Sequence, residues 1–174
     1  GGSSRIPRKN IRLFHGKPII AYSIETALAS GLFDEGVWVS TEDGEIDRIA
    51  RTHGAGTLVR PPELAEIGAP DCGTQEVTRH ALTQLPACDY ACCIYPCAPM
   101  LTVGDLHLAS HELHDRPYNY VYAEGIFYFG MVKRFLYETN SFHYSLRLED
   151  KKRHIDINTE EDWLRAEKMY EGAA

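Results

Sequence analysis

The sequence starts with Gly1-Gly2-Ser3-Ser4-Arg5-Ile6-Pro7-Arg8-Lys9-Asn10, small residues followed by closely spaced cations. Glycines and serines offer backbone N–H groups and hydroxyls without bulk, so such a chain can curl around an anion. Fixed cations after the curl suit a triphosphate, whose charge must be neutralised before a nucleophile can approach. Taken alone, the stretch is explained equally well as a flexible terminus or a tag remnant. A second constellation lies near the other end. Asp156 and Asn158 alternate along an extended segment, which points both side chains to one face. Two oxygen ligands on one side suit Mg²⁺, with substrate phosphates and water completing its shell. The competing reading has Asn158 merely starting the turn into the last helix. Arg60 follows an apolar run and precedes Pro61, so it serves either a ligand at a strand's carboxyl end or a surface ion pair. Thr74 opens a helix, where it can act as N-cap and also favour an anion.

These residues need a scaffold, and the periodicity of the chain supplies one. Helical spacing covers 17–30 with Gly31 as its end, then a second helix through Ile46, Ile49 and Ala50 that ends near Gly54, a helix from Thr74, one through Leu106, Ala109 and Leu113, and 131–138. In the last helix Thr159 is the cap, Asp162 completes a capping-box spacing, and Trp163, Ala166 and Tyr170 form the buried stripe. Short β-prone runs fall at 36–40, 57–60, 89–95, 118–122 and 127–130. Strands alternating with helices predict an α/β domain with a mostly parallel sheet covered on both faces. Ligands of such sheets collect beyond the strands' carboxyl ends. A chain of 174 residues fits one domain, 1–174, with 44% hydrophobic and 25% charged residues. A net charge of -7 argues against broad nucleic-acid binding. No apolar run approaches the roughly 20 residues that cross a bilayer, so no membrane is expected. Five cysteines without Cys-x-x-Cys spacing predict free thiols in a reducing cytoplasm and no zinc site. The eight histidines show no ligand spacing, and none is assigned to chemistry.

The run Gly-Gly-Ser-x-Arg-Ile-Pro-Arg-Lys-Asn-Ile, followed by Phe14-x-Gly16-Lys17-Pro18-Ile19-Ile20, resembles the nucleotide-binding signature of the CMP-nonulosonic acid synthetases. Its Arg-Ile-Pro-Arg-Lys-Asn form is similar to the pseudaminic acid branch, whereas the sialic acid branch reads Gly-Ile-Pro-Leu-Lys-Asn. Further blocks resemble the family in the same order: Val39–Ile46, Arg60–Ala65, Tyr95–Pro99, Gly125–Gly130 and Asp156–Trp163. The resemblance implies a three-layer Rossmann-like nucleotidyltransferase fold. It also implies transfer of a cytidylyl group from CTP to a nonulosonic acid, pseudaminic acid first, with Mg²⁺ and a homodimeric enzyme. Alternatives are a sialic or legionaminic acid cytidylyltransferase, or a non-catalytic nucleotide-binding relative.

By the same resemblance, Lys9 and Arg5 act on the CTP phosphates with Gly2 and Ser3, while Arg8 and Arg12 are surface charges. Asn10 holds the cytidine end, Arg60 the cytosine side, and Thr74 lies in the same pocket. Tyr95, Phe127 and Tyr128 fall at sugar contacts, although aromatic residues within a strand are more often core. Asp156 and Asn158 hold the metal. The sequence also departs from the family pattern. An apolar strand ending in Pro-Ala-Arg is missing ahead of Gly1, and Ser4 stands where the family has lysine. Asn158 stands where the sialic acid branch has aspartate, and a central segment carrying a His-Asp pair is missing near 123–125.

Overall fold

The computed structural model describes residues 5–65, 73–116, 118–137, 145–148 and 154–172. A single 3₁₀ turn at Lys9–Ile11 leads into a small hairpin, β1 (Leu13–Phe14) and β2 (Lys17–Pro18). His15 and Gly16 form its two-residue turn, both at positive φ (44° and 83°), as the right-handed twist of a tight hairpin requires. Helix α1 (Ile19–Ser30) ends at Gly31, which takes the left-handed conformation. β3 (Trp38–Thr41) follows. The Asp43 side chain then starts α2 (Gly44–Thr52) by accepting from the N–H groups of Glu45 and Ile46. β4 (Gly56–Val59) lies parallel to β3. A 3₁₀ turn at Pro62–Leu64 and α3 (Thr74–Leu82) come before β5 (Tyr90–Ile94). The later chain runs α4 (Val103–Asp115), β6 (Tyr120–Ala123), β7 (Phe127–Met131), α5 (Val132–Tyr137), β8 (Leu146–Arg147) and α6 (Glu160–Glu171).

The α/β class holds, but the mostly parallel sheet does not appear among the described residues. β5, β7, β6 and β8 form a mixed sheet in that order, with β7 antiparallel to both of its neighbours. The reason is local. Residues 124–126 are all that join β6 to β7, and a parallel crossover needs a dozen or more. The chain must therefore double back, which Gly125 permits at φ 70°. Helices still cover both faces. Leu106, Ala109 and Leu113 of α4 pack on the side of Val121, Phe127 and Phe129, and α3 packs with α5.

β3 and β5 each pair on one edge only among the described residues, β3 with β4 and β5 with β7. Both line one trough, whose walls also include Ile20 and Ile24 of α1 and Val77 and Ala81 of α3. A second core cluster gathers Ile6, Phe14, Ile157 and Trp163 beneath the start of the chain. No helix among the described residues is long and apolar enough to cross a membrane.

Candidate functional site

The loop carrying Arg5 and Lys9 is fixed from below and from both flanks. Ile6 is 0% exposed and sits in the cluster with Phe14 and Trp163. Burying one such side chain contributes roughly 1.5–3 kcal/mol, enough to anchor a short loop. Arg8 adopts a left-handed backbone (φ 53°), and its guanidinium reaches Asp43 at 3.2 Å and Glu45 at 2.5 Å. Arg12 pairs with Glu160 at 2.6 Å and lies 4.3 Å above the Trp163 ring. Both arginines therefore staple the loop to α2 and α6.

Lys9 donates to the carbonyl oxygen of Ile157 at 2.6 Å, and Arg5 donates to Asn158 Oδ1 at 3.1 Å. The cations of the first stretch and the oxygens of the second thus meet, although about 150 residues separate them in sequence. Along this second strip Ile155 and Ile157 are buried, while Asp156 is exposed and Asn158 half-buried. That alternation is the one expected for an extended segment with two polar side chains on one face. Gly125 lets Asp156 lie close, since a Cβ there would stand 2.6 Å from the Asp156 Cβ and Cγ atoms. Asn158 is the poorer of the two metal candidates, because its amide oxygen already faces a guanidinium. No group of three or more acidic, His or Cys ligands occurs among the described residues. An Mg²⁺ ion here would have one protein carboxylate, Asp156, and would need the rest of its oxygen shell from other groups.

Arg5, Lys9, Asn10, Arg60, Thr74, Tyr95 and Asn158 all line one cleft, which together with the trough between β3 and β5 encloses about 880 Å³. Gly2 and Ser3 lie outside the described residues. Arg60 lines the cleft and is paired with Glu42 at 2.8 Å. Thr74 is not the cap of α3, since Gly73 occupies that position. A side chain on Gly73 would run into Glu76, with a Cβ 2.5 Å from its carboxylate oxygen. The Thr74 hydroxyl instead hydrogen-bonds the Tyr95 phenol at 2.9 Å. Tyr95 stands 6.0 Å from the Tyr128 ring, and Tyr128 stacks on Tyr122 at 5.4 Å. Burial pushes the Tyr95 and Tyr128 phenols above their ordinary range, so both are protonated donors at neutral pH.

Phe127 is a correction. It is 0% exposed and packs on the α4 side of the sheet, opposite Tyr128, because successive strand residues face opposite ways. Its ring serves the core and does not line the cleft.

Residue patterns alone missed two groups. Ser40 Oγ is buried with no hydrogen-bond partner among the described residues, on a strand that lines the cleft. Its position near the carboxyl end of a strand is the signal that points to it. Cys97 is buried, and its thiol contacts Asn10 Oδ1 at 3.4 Å.

Residues 1–161 match the cytidylyltransferase sequence family. Pseudaminic acid cytidylyltransferase from Campylobacter jejuni strain 81-176 is 35% identical over 159 residues, covering 86% of this chain and 68% of the relative. N-acylneuraminate cytidylyltransferase B from Danio rerio is 31% identical over 121 residues, covering 70% of this chain and 27% of that protein. Among solved structures, CMP:2-keto-3-deoxy-manno-octonic acid synthetase complexed with CTP superposes with a TM-score of 0.74 at 13% identity, over 99% of this chain and 95% of that one. At that identity the likeness speaks for the fold alone.

Proposed function

The chain belongs to the cytidylyltransferase family, and from that premise we propose that it activates a nonulosonic acid, pseudaminic acid first, with CTP. The products are the CMP-sugar and pyrophosphate. The observation that carries the reading is the convergence of Lys9 and Arg5 on the Asp156–Asn158 strip at one end of the cleft.

Cytidylyl transfer asks mainly for positioning and charge neutralisation. The ammonium of Lys9 has three donors, of which the Ile157 carbonyl takes one, so two remain for phosphate oxygens. Arg5 adds a second fixed cation beside it. Asn10 and Arg60 orient the nucleoside, with Glu42 holding the Arg60 guanidinium in place. Thr74 lies with them on the nucleotide side, while Tyr95 and Tyr128 present hydroxyls to the acceptor sugar, whose C2 hydroxyl attacks the α-phosphorus in line with the departing pyrophosphate. Asp156 would hold Mg²⁺, which would supply further neutralisation of phosphate charge. The same reading seats one more strand of the polypeptide in the trough between β3 and β5, supported by their free edges among the described residues and its apolar walls. It places the enzyme in the cytoplasm as a homodimer, following the family resemblance.

The test is pyrophosphate release from CTP with pseudaminic acid and Mg²⁺. Turnover that requires both substrates is expected. CTP binding without turnover would reduce the chain to a nucleotide-binding relative.

A further inference from the structure

We propose that Cys97 is a positioning residue for nucleotide binding: its thiol donates to Asn10 Oδ1 and so turns the Asn10 amide NH₂ toward the ligand. The proposal rests on the cleft being the CTP site. An amide is asymmetric, with one end that only accepts and one that only donates. A proton-bearing neighbour at one end decides which end the other neighbour meets. Cys97 is 6% exposed, and its Sγ lies 3.4 Å from Asn10 Oδ1. Burial, the largest influence on it, pushes the thiol up to about 12, against the nearby Lys9 ammonium. At neutral pH the sulfur therefore carries its proton and donates. Asn10 lines the cleft, so with Oδ1 held toward the thiol its Nδ2 is the end turned to an acceptor atom of the nucleotide. Cys97 also touches the cluster of Ile6, Phe14 and Trp163, which makes simple packing the rival account.

The experiment is calorimetric CTP binding to the wild-type chain and to Cys97→Ala, Cys97→Ser, Asn10→Ala and the Cys97→Ala/Asn10→Ala pair. Loss of one orienting hydrogen bond should weaken CTP binding roughly 3- to 10-fold in Cys97→Ala. Cys97→Ser keeps a donor at nearly the same place and should restore most of the affinity. In the Asn10→Ala background, Cys97→Ala should add nothing, because the thiol acts through that amide. Without nucleotide, the assigned Asn10 side-chain NH₂ resonances should shift in Cys97→Ala and return in Cys97→Ser.

Additive losses, a Cys97→Ser as weak as Cys97→Ala, or unmoved amide resonances would leave Cys97 as packing and overturn the proposal. A wild-type chain that does not bind CTP at all would instead bring down the reading of the cleft, and this proposal with it.

Discussion

Lys9 and Asp156 are where single side chains matter most. Lys9 in this structure donates to the Ile157 carbonyl at the cleft, which places the ammonium there. Lys9→Ala should lower kcat by on the order of 10²–10³, the usual cost of removing one preorganised donor. Asp156→Ala should raise the Mg²⁺ concentration for half-maximal rate, measured by titrating Mg²⁺ at saturating CTP. Neither change deletes core volume, so circular dichroism should stay as in the wild type. Wild-type turnover in Lys9→Ala would put the chemistry elsewhere. Glu25 gives a prediction about stability instead. A hydrogen bond from Lys17, and then one from His53, hold its carboxyl below the usual range. A carboxylate depressed in the folded state contributes stability above its unfolded pKa of about 4.3, lost as pH falls through and below that value. Glu25 is half-exposed, so the contribution is about 0.5 kcal/mol or less. The acid flank of a Tm–pH profile should therefore flatten slightly in Glu25→Gln, with no change near neutrality beyond that amount.

Elements act on the site through their ends. The capping box of α6 is complete: Thr159 accepts from the Asp162 N–H, and Asp162 accepts from the Thr159 N–H. The same Asp162 carboxylate accepts from the Asn158 N–H at 3.0 Å, so the cap also fixes the end of the strip that Lys9 and Arg5 meet. Thr159→Ala should cost about 1 kcal/mol of stability by denaturant titration, and weaken CTP binding as the strip loosens. A lowered Tm with unchanged CTP affinity would separate the cap from the site. The β6–β7 turn acts in a similar way. Gly125→Ala puts a Cβ into the Asp156 side chain at a positive φ, so it should displace Asp156 and raise the Mg²⁺ requirement. The cap was legible in the sequence, because Thr-x-x-Asp before an apolar stripe has one strong structural meaning. The antiparallel β7 is not legible in the same way, because the alternation of strand and helix up to α4 points to a crossover. The three-residue connection argued against one.

At the scale of the whole molecule, β3 and β5 line one trough with apolar walls, with one free edge each among the described residues. An apolar, β-branched segment fused ahead of Gly1 should occupy that trough, raise Tm and slow amide exchange in β3 and β5. Unchanged exchange would refute the seating. The substrate prediction also belongs at this scale: kcat/KM should be higher with pseudaminic acid than with N-acetylneuraminic acid. Equal or reversed values would reassign the sugar and leave cytidylyl transfer intact. The sequence by itself determined the family, the order and type of most elements, and the residue types at the two ends of the site. These follow from short-range rules of periodicity, caps and motif order that each segment carries alone. Only the tertiary structure decided which residues face each other. It brought Lys9 against Ile157 and Arg5 against Asn158, turned Phe127 into the core beside an outward-facing Tyr128, and laid a buried thiol against Asn10. Such pairings depend on how buried faces pack across the chain. No local stretch encodes them, because a side chain's partner is set by the fold around it.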